Sequence, residues 1–436
     1  MSTPRRPAWR VRPSSVFAPS EALRYSERMP EKHIVVVGGG AAGFFGAIKA
    51  AEDAPGAKVL LLEKSPELLA KVTLSGGGRC NVTHHCFEMD RLVRNYPRGS
   101  RELLGPFHRF QPRDTVQWFE SRGVKLKVEA DGRMFPVTDR SSSIVDALQR
   151  AATQAGVVIR TSCGLRELAK QPEGGFRLSL TDGSEIKCDR LLLATGGNKN
   201  TAGYGLAASV GHTIEPPVPS LFTFHINDPS LHALAGIAVP DAQVTAPDLR
   251  LVQNGPLLIT HWGLSGPAVL KLSAWGARAM ADCDYTFVLQ VMWQRGPRDA
   301  MAQTLSAWRT RQAARTVVSG GPLEAPVRLW AWLCQRAGVE ADRVWSRLTK
   351  EQERRLVDEI TACRLEVTGK STFKEEFVTC GGVRLNEVDF KTMESRVCPG
   401  LHLAGEVLNI DAVTGGFNFQ AAWTTGWLAG KAMAGA

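Results

Sequence analysis

Several short segments of this 436-residue chain combine residue types and spacings that can do chemistry. The first is a glycine turn. Gly38, Gly40 and Gly43 fit the pattern G-x-G-x-x-G, and Glu63 follows twenty residues after Gly43. In dinucleotide binding, the first glycine permits a tight turn and the second lets backbone approach a pyrophosphate. The third lets a helix pack closely on a strand, and the acid accepts hydrogen bonds from a ribose hydroxyl. The N-terminus of the helix that follows presents N–H groups and a partial positive charge to phosphates. Ala41, Ala42 and Lys64, which follows the acid, join the candidates for cofactor contact.

Four further segments repeat the glycine theme. Ser75, Gly76, Gly77 and Gly78 precede Arg79, Cys80 and Asn81, so N–H groups can converge on an anion beside a permanent charge. Thr195, Gly196 and Gly197 end the apolar run Leu191 to Ala194, and Gly405 and Glu406 end the run Leu401 to Ala404. Gly415 and Gly416 precede Phe417 and Asn418, the start of a predicted helix whose N-terminus suits the N1–C2=O edge of a flavin. One glycine motif near the N-terminus and another near the C-terminus is the arrangement by which flavoproteins close over FAD.

Cys80, His84, His85 and Cys86 form a second kind of cluster. Zinc is one reading, but no second Cys or His pair with ligand spacing accompanies it, so no metal is expected. A redox disulfide is another, although C-x₅-C is not the C-x₄-C of disulfide reductases. Cys80 packing beside the flavin and Cys80 giving a proton to substrate are the remaining readings. No second G-x-G-x-x-G is present, so NAD(P)H is expected as a transient reductant without a dinucleotide fold of its own.

The elements that must position these residues follow from apolar pattern. His33 to Val37 and Lys58 to Leu62 are β-branched or leucine runs that predict buried parallel strands, with a helix from Phe44 to Glu52 between them. A hairpin is predicted around Thr181-Asp182-Gly183. The expected fold is α/β: a discontinuous Rossmann-like FAD domain of the two-dinucleotide-fold type, with an inserted mixed β and helical substrate or cap domain. The FAD domain takes 31–213 and 375–436. The insertion takes 214–374, β-rich over 214–295 and helical over 296–374, and opens at Pro216, Pro217 and Pro219.

Composition narrows the class. The 44% hydrophobic and 22% charged content is that of an ordinary globular protein. No run approaches the roughly 18 uncharged apolar residues of a bilayer span, and no membrane partner is expected. Nine scattered cysteines argue for a reducing compartment, and the expected location is the cytoplasm. Residues 1–30 carry Arg5, Arg6, Arg10 and Arg12 with no early acid. They read as a basic tail or as sequence ahead of a start at Met29, with an organellar transit peptide as the alternative.

The chain resembles the YhiN/BaiN-like flavoproteins, also called aminoacetone oxidase-like or NAD(P)/FAD-dependent oxidoreductases. The resemblance runs from about His33 to the C-terminus. It rests on Ser75 to Asn81, on Arg133-Met134-Phe135-Pro136, on Thr260-His261-Trp262-Gly263-Leu264-Ser265-Gly266-Pro267, and on Ala404 to Asp411 with Thr414 to Gln420. Ala412 stands where glycine is expected, Phe417 and Phe419 replace the usual Tyr and Leu, and Cys380 replaces a common alanine. The resemblance implies an FAD-dependent oxidoreductase. It implies hydride addition to a C=C conjugated to a carbonyl, either uridine in 23S ribosomal RNA, giving dihydrouridine, or an enone-type steroid. Arg79, Cys80, Asn81, Arg133 and His261 are the candidate catalytic residues, with Asn418 beside them, all by motif position.

Charge bears on the partner. The chain carries a net +10, and Arg91, Arg94, Arg98, Arg101, Arg109 and Arg113 fall in one segment with a single acid, Glu102. That segment is a candidate surface for 23S rRNA or its precursor. Residues 291–365 also combine basic residues with Trp293, Trp308, Trp330, Trp332 and Trp345, read either as an RNA-stacking surface or as a solvated helical face over a tryptophan core. Two rivals stand beside the rRNA reductase: a small-molecule oxidoreductase or oxidase, and an RNA- or ribosome-binding protein with structural FAD.

Overall fold

A computed structural model describes residues 32–197, 202–371 and 378–435. The expected basic tail, 1–30, lies outside the described residues. Residues from Lys32 onward form one compact unit.

His33–Val37 is buried from Ile34 onward and lies centrally in a seven-stranded sheet. It pairs in parallel with Lys58–Leu62 on one side and Arg190–Leu193 on the other, with Val35 opposite Leu60 and Leu191. Val158–Arg160 and Leu401–Leu403 extend the parallel sheet outward, and Glu394–Ser395 and Val388–Asp389 finish it in antiparallel sense. Continuous apolar runs suit such strands because both faces are covered.

The helix Ala41–Asp53 packs along the C-terminal helix Phe417–Gly435, and small residues make that possible. A Cβ on Gly426 would lie 2.3 Å from the Ala42 carbonyl oxygen, and one on Gly430 would lie 2.3 Å from that of Gly46. Residues from opposite ends of the chain thus share one core, which is why the α/β domain is discontinuous.

The insertion has its own core, beginning at Phe222. Six antiparallel strands close a barrel in the order Phe224–Ile226, Gly263–Ser265, Leu251–Thr260, Ala238–Ala246, Thr286–Met292, Cys363–Lys370. The last strand corrects the expected helical stretch over 296–374. Helices end at Ala362, and Cys363–Lys370 alternates buried and exposed residues with the period of two that one-sided burial requires. The proline-rich opening is also not a loop. Ile214–Ser220 pairs antiparallel with Val378–Val383, its register shifting across Pro216 and Pro217, which have no N–H to give.

Trp293, Trp330, Trp332 and Trp345 are 0–4% exposed and belong to the insertion's core. Trp308 is only partly buried against the same core, so four of the five indoles offer no face to a base. No helix among the described residues is long and apolar enough to cross a membrane.

Candidate active site

The glycine turn sits at the C-terminal end of the central strand. Gly38 has φ +113°, and a Cβ there would lie 2.3 Å from the Ala194 carbonyl oxygen. A Cβ on Gly43 would lie 1.9 Å from the Gly38 oxygen, whereas one on Gly40 would meet nothing within 4 Å. Two glycines therefore serve close packing and the third faces open space. Gly40 begins the helix Ala41–Asp53 in extended conformation, and no side chain caps that end. Glu63 is held at the end of its strand by the N–H groups of Gly39 (2.7 Å) and Ser65 (2.9 Å). Lys64 lays the base of its side chain beside Gly164.

The second loop breaks the helix Ala70–Gly78 at Ser75. Gly76, Gly77 and Gly78 take φ of +58°, +70° and +83°, and Cys80 follows at +61°. Cys80 is fully buried, and burial pushes its thiol up to about 12. A thiol so placed packs in the core and is poorly suited to give up a proton. All nine cysteines are free, so Cys80 and Cys86 form no disulfide.

Arg79 lies 4.0 Å over the Phe135 ring and bonds Glu129 at 2.6 Å. Arg133 bonds the other Glu129 oxygen at 3.0 Å and Asp131 at 2.7 Å. The two guanidiniums thus share one carboxylate and tie the glycine loop to the strand Arg133–Pro136. Asn81, in the amide orientation that satisfies both neighbours, donates to Thr83 O at 3.1 Å and accepts from Gly416 N–H at 3.0 Å.

At the start of the C-terminal helix, Gly415 and Gly416 have φ of +131° and +90°, and a Cβ on Gly416 would lie 2.5 Å from Thr83 O. Phe417 stacks on His84 at 4.6 Å between centroids. Burial, Lys271 and His85 all lower the His84 pKa, so the ring is neutral at physiological pH. Lys271 belongs to the insertion's helix Pro267–Asp282. The Asn418 side chain turns inward and closes a pair of bonds on Ala412 N and O (2.9 and 3.0 Å); it holds the loop before the helix rather than reaching outward.

The remaining glycine loops converge. A Cβ on Gly405 would lie 2.9 Å from the Ala42 methyl, so this loop adjoins the first helix. Glu406 accepts from Thr379 N–H (3.0 Å), Gly197 N–H (3.4 Å) and Lys71 (2.6 Å). The Thr379 hydroxyl, beside Gly197, and the Thr195 hydroxyl, packed against Gly203, are buried and have no partner among the described residues.

Not every predicted residue joins this group. His261 stands exposed at the turn between Leu251–Thr260 and Gly263–Ser265, and no contact among the described residues links it to the glycine loops. Arg98 is corrected from surface to interior: its side chain is 18% exposed and makes a bidentate pair with fully buried Asp411. The other five arginines of that segment are exposed. Lys71 and Lys271 escaped the sequence reading. Lys71 is one helical turn before Ser75, a spacing that places both on one helix face.

These residues fit FAD. Gly40 leaves room for a pyrophosphate at an uncapped helix end, Glu63 waits at a strand end, and the buried Thr379 hydroxyl beside Glu406 lacks a partner that a polyhydroxyl chain supplies. Residues 32–432 match the family model described as HI0933-like protein Rossmann domain. The chain belongs to this family. A curated relative in Escherichia coli (strain K12), named ribosomal RNA dihydrouridine synthase, is 30% identical over 409 residues, 90% of this chain and 96% of that protein. Another, 3-dehydro-bile acid delta(4,6)-reductase of Clostridium scindens, is 30% identical over 92% of this chain and 98% of that one. Among solved structures, 3-ketosteroid-delta4-(5alpha)-dehydrogenase from Rhodococcus jostii RHA1 matches at TM-score 0.50 and 16% identity, covering 95% of this chain and 99% of that one; this likeness is one of fold. The chain is thus an FAD-dependent oxidoreductase, with the glycine loops on its α/β domain and an inserted barrel beside them.

Proposed function

We propose that this enzyme is an NAD(P)H-driven reductase of a C=C conjugated to a carbonyl, and that its substrate is a uridine of 23S rRNA, reduced to dihydrouridine in the cytoplasm. One observation carries the reading. The two relatives, each alike over nine-tenths or more of both chains, are named for an rRNA dihydrouridine synthase and for a reductase of a bile acid. Both names describe saturation of a conjugated double bond.

Reduced FAD supplies the hydride for such a reaction. The chain's own residues bind and orient. Gly38 to Gly43 and Glu63 would hold the dinucleotide end, and Thr379 and Glu406 would offer partners to hydroxyls. The N-terminus of Phe417–Gly435, fixed by Asn81 and Asn418, brings a positive dipole end to the site. NAD(P)H would serve as a transient donor; Gly203-Tyr204-Gly205 lies inside the helix Ala202–Ser209 rather than in a second dinucleotide turn.

RNA is favoured as substrate by the exposed Arg91, Arg94, Arg101, Arg109 and Arg113. Their segment adjoins the C-terminal loop: Val413 N–H donates to Asn95 O at 2.9 Å, and the Tyr96 hydroxyl donates to Phe417 O at 2.6 Å. The second reading, reduction of a small enone, is favoured by the bile-acid reductase, which is equally similar. The test incubates the FAD-loaded protein with NADPH or NADH and protein-free 23S rRNA lacking dihydrouridine, then weighs the nucleosides. One uridine heavier by two hydrogens is the expected result. Unchanged RNA together with saturation of a 4-en-3-one steroid would replace the RNA reading by the small-molecule one.

A further inference from the structure

We propose that Lys71 is the cation of the dinucleotide site and neutralises the diphosphate of the cofactor, an inference that rests on the FAD reading. The turn Gly38 to Gly43 holds no basic side chain. A helix N-terminus is worth about half a charge, whereas a diphosphate carries two. The groove is moreover flanked by two carboxylates, Glu63 and Glu406, so a dianion entering it meets repulsion unless a cation stands nearby.

Lys71 stands there. Leu69, in the left-handed conformation at φ +57°, gives its N–H to Gly39 O at 2.9 Å and starts the helix Ala70–Gly78 against the glycine turn. Lys71 is two residues further on. Its Nζ donates to Glu406 at 2.6 Å and to Gly197 O at 3.2 Å, so it stands on the loops that end the strands Arg190–Leu193 and Leu401–Leu403, while its helix starts against the glycine turn.

Two features distinguish this lysine from a plain structural partner. An ammonium has three N–H donors, and two are engaged. The side chain is 54% exposed although its carboxylate partner is 18% exposed, so the unused donor has access to the open side. Glu406, for its part, already receives two backbone N–H bonds, from Thr379 and Gly197, and does not depend on Lys71 to be satisfied.

The test compares two flavins on the deflavinated full chain: FAD, and riboflavin, which has the same ring and ribityl chain but no phosphate. Lys71→Met keeps the aliphatic stem and removes the charge; Lys71→Gln serves as a second variant if the first unfolds. The expected result is a tenfold or greater rise in the FAD dissociation constant, an unchanged riboflavin constant, and a shallower salt dependence of FAD binding, with Lys71→Arg close to wild type. An unchanged FAD constant, or equal losses for both flavins, would overturn the proposal; the second outcome would make Lys71 a support for Glu406. Wild-type protein that binds neither flavin would overturn the FAD reading itself.

Discussion

Gly40 and Gly43 share a motif and differ in what they touch. A methyl at Gly43 collides with the Gly38 carbonyl, whereas a methyl at Gly40 enters empty space. Gly43→Ala is therefore expected to destabilise the apo-protein by several kcal/mol, because backbone on both sides must shift. Gly40→Ala is expected to leave apo stability within about 0.5 kcal/mol and to weaken FAD at least tenfold. Thermal unfolding and flavin titration of both variants separate the two effects; a Gly40→Ala protein with wild-type FAD affinity would remove Gly40 from the cofactor cradle.

His402 supplies a pH effect at the same scale. It is 1% exposed, and burial lowers its pKa to about 4. The unfolded chain takes up that proton near pH 6.5, and the folded chain does so only below about pH 4. Stability from this group is thus complete above the unfolded value and is lost as pH falls through that window. The loss is about 2 kcal/mol by about pH 5, at 1.36 kcal/mol per pH unit. His402→Leu is expected to flatten the stability curve over this range in urea unfolding; a variant that loses stability as steeply as wild type would show that His402 is not the group responsible.

At the scale of elements, the glycine-turn unit was legible because its constraints are local. Turn, helix start and acid lie within thirty residues, and Gly38 and Gly43 are each required by backbone close by. The packing of the first helix on the last was not legible. Gly46, Gly426 and Gly430 read as unremarkable helical glycines until the two helices meet. Gly426→Val would push a branched side chain into the Ala42 backbone and is expected to cost several kcal/mol or prevent folding. Circular dichroism on heating checks this, and a stable Gly426→Val would contradict the close crossing. Helices fill much of the stretch expected to be helical over 296–374, but that expectation ran on over the closing strand Cys363–Lys370, whose alternation spans only a few residues.

At the scale of the molecule, one buried group joins pieces that sequence keeps far apart. Arg98 and Asp411 are 313 residues apart and form a bidentate pair. Ser220 donates to Asp411 at 2.7 Å, and Arg98 reaches Ala274 O in the insertion's helix at 2.7 Å. Burial pushes the Asp411 carboxyl up, and Arg98 and Ser220 draw it back. The pair thus fixes the insertion against the loop that leads to Gly415. No local signal marks Arg98 among five exposed arginines, which is why sequence placed it on a surface. Arg98→Ala leaves a buried carboxylate unpaired and is expected to destabilise by about 3–5 kcal/mol, with Arg98→Ala/Asp411→Ala recovering part of the loss. A double-mutant cycle in urea checks the coupling, and additive effects would show that the two do not act together.

The claim that most needs testing is that the flavin of this enzyme delivers hydride to RNA. The direct measurement is anaerobic stopped-flow: reduce the bound flavin with NADPH or NADH, mix with 23S rRNA lacking dihydrouridine, and follow the flavin absorbance. Rapid reoxidation that depends on RNA and matches the dihydrouridine formed is the expected result. A flavin that stays reduced with RNA and reoxidises only with O₂ or a small enone would contradict it.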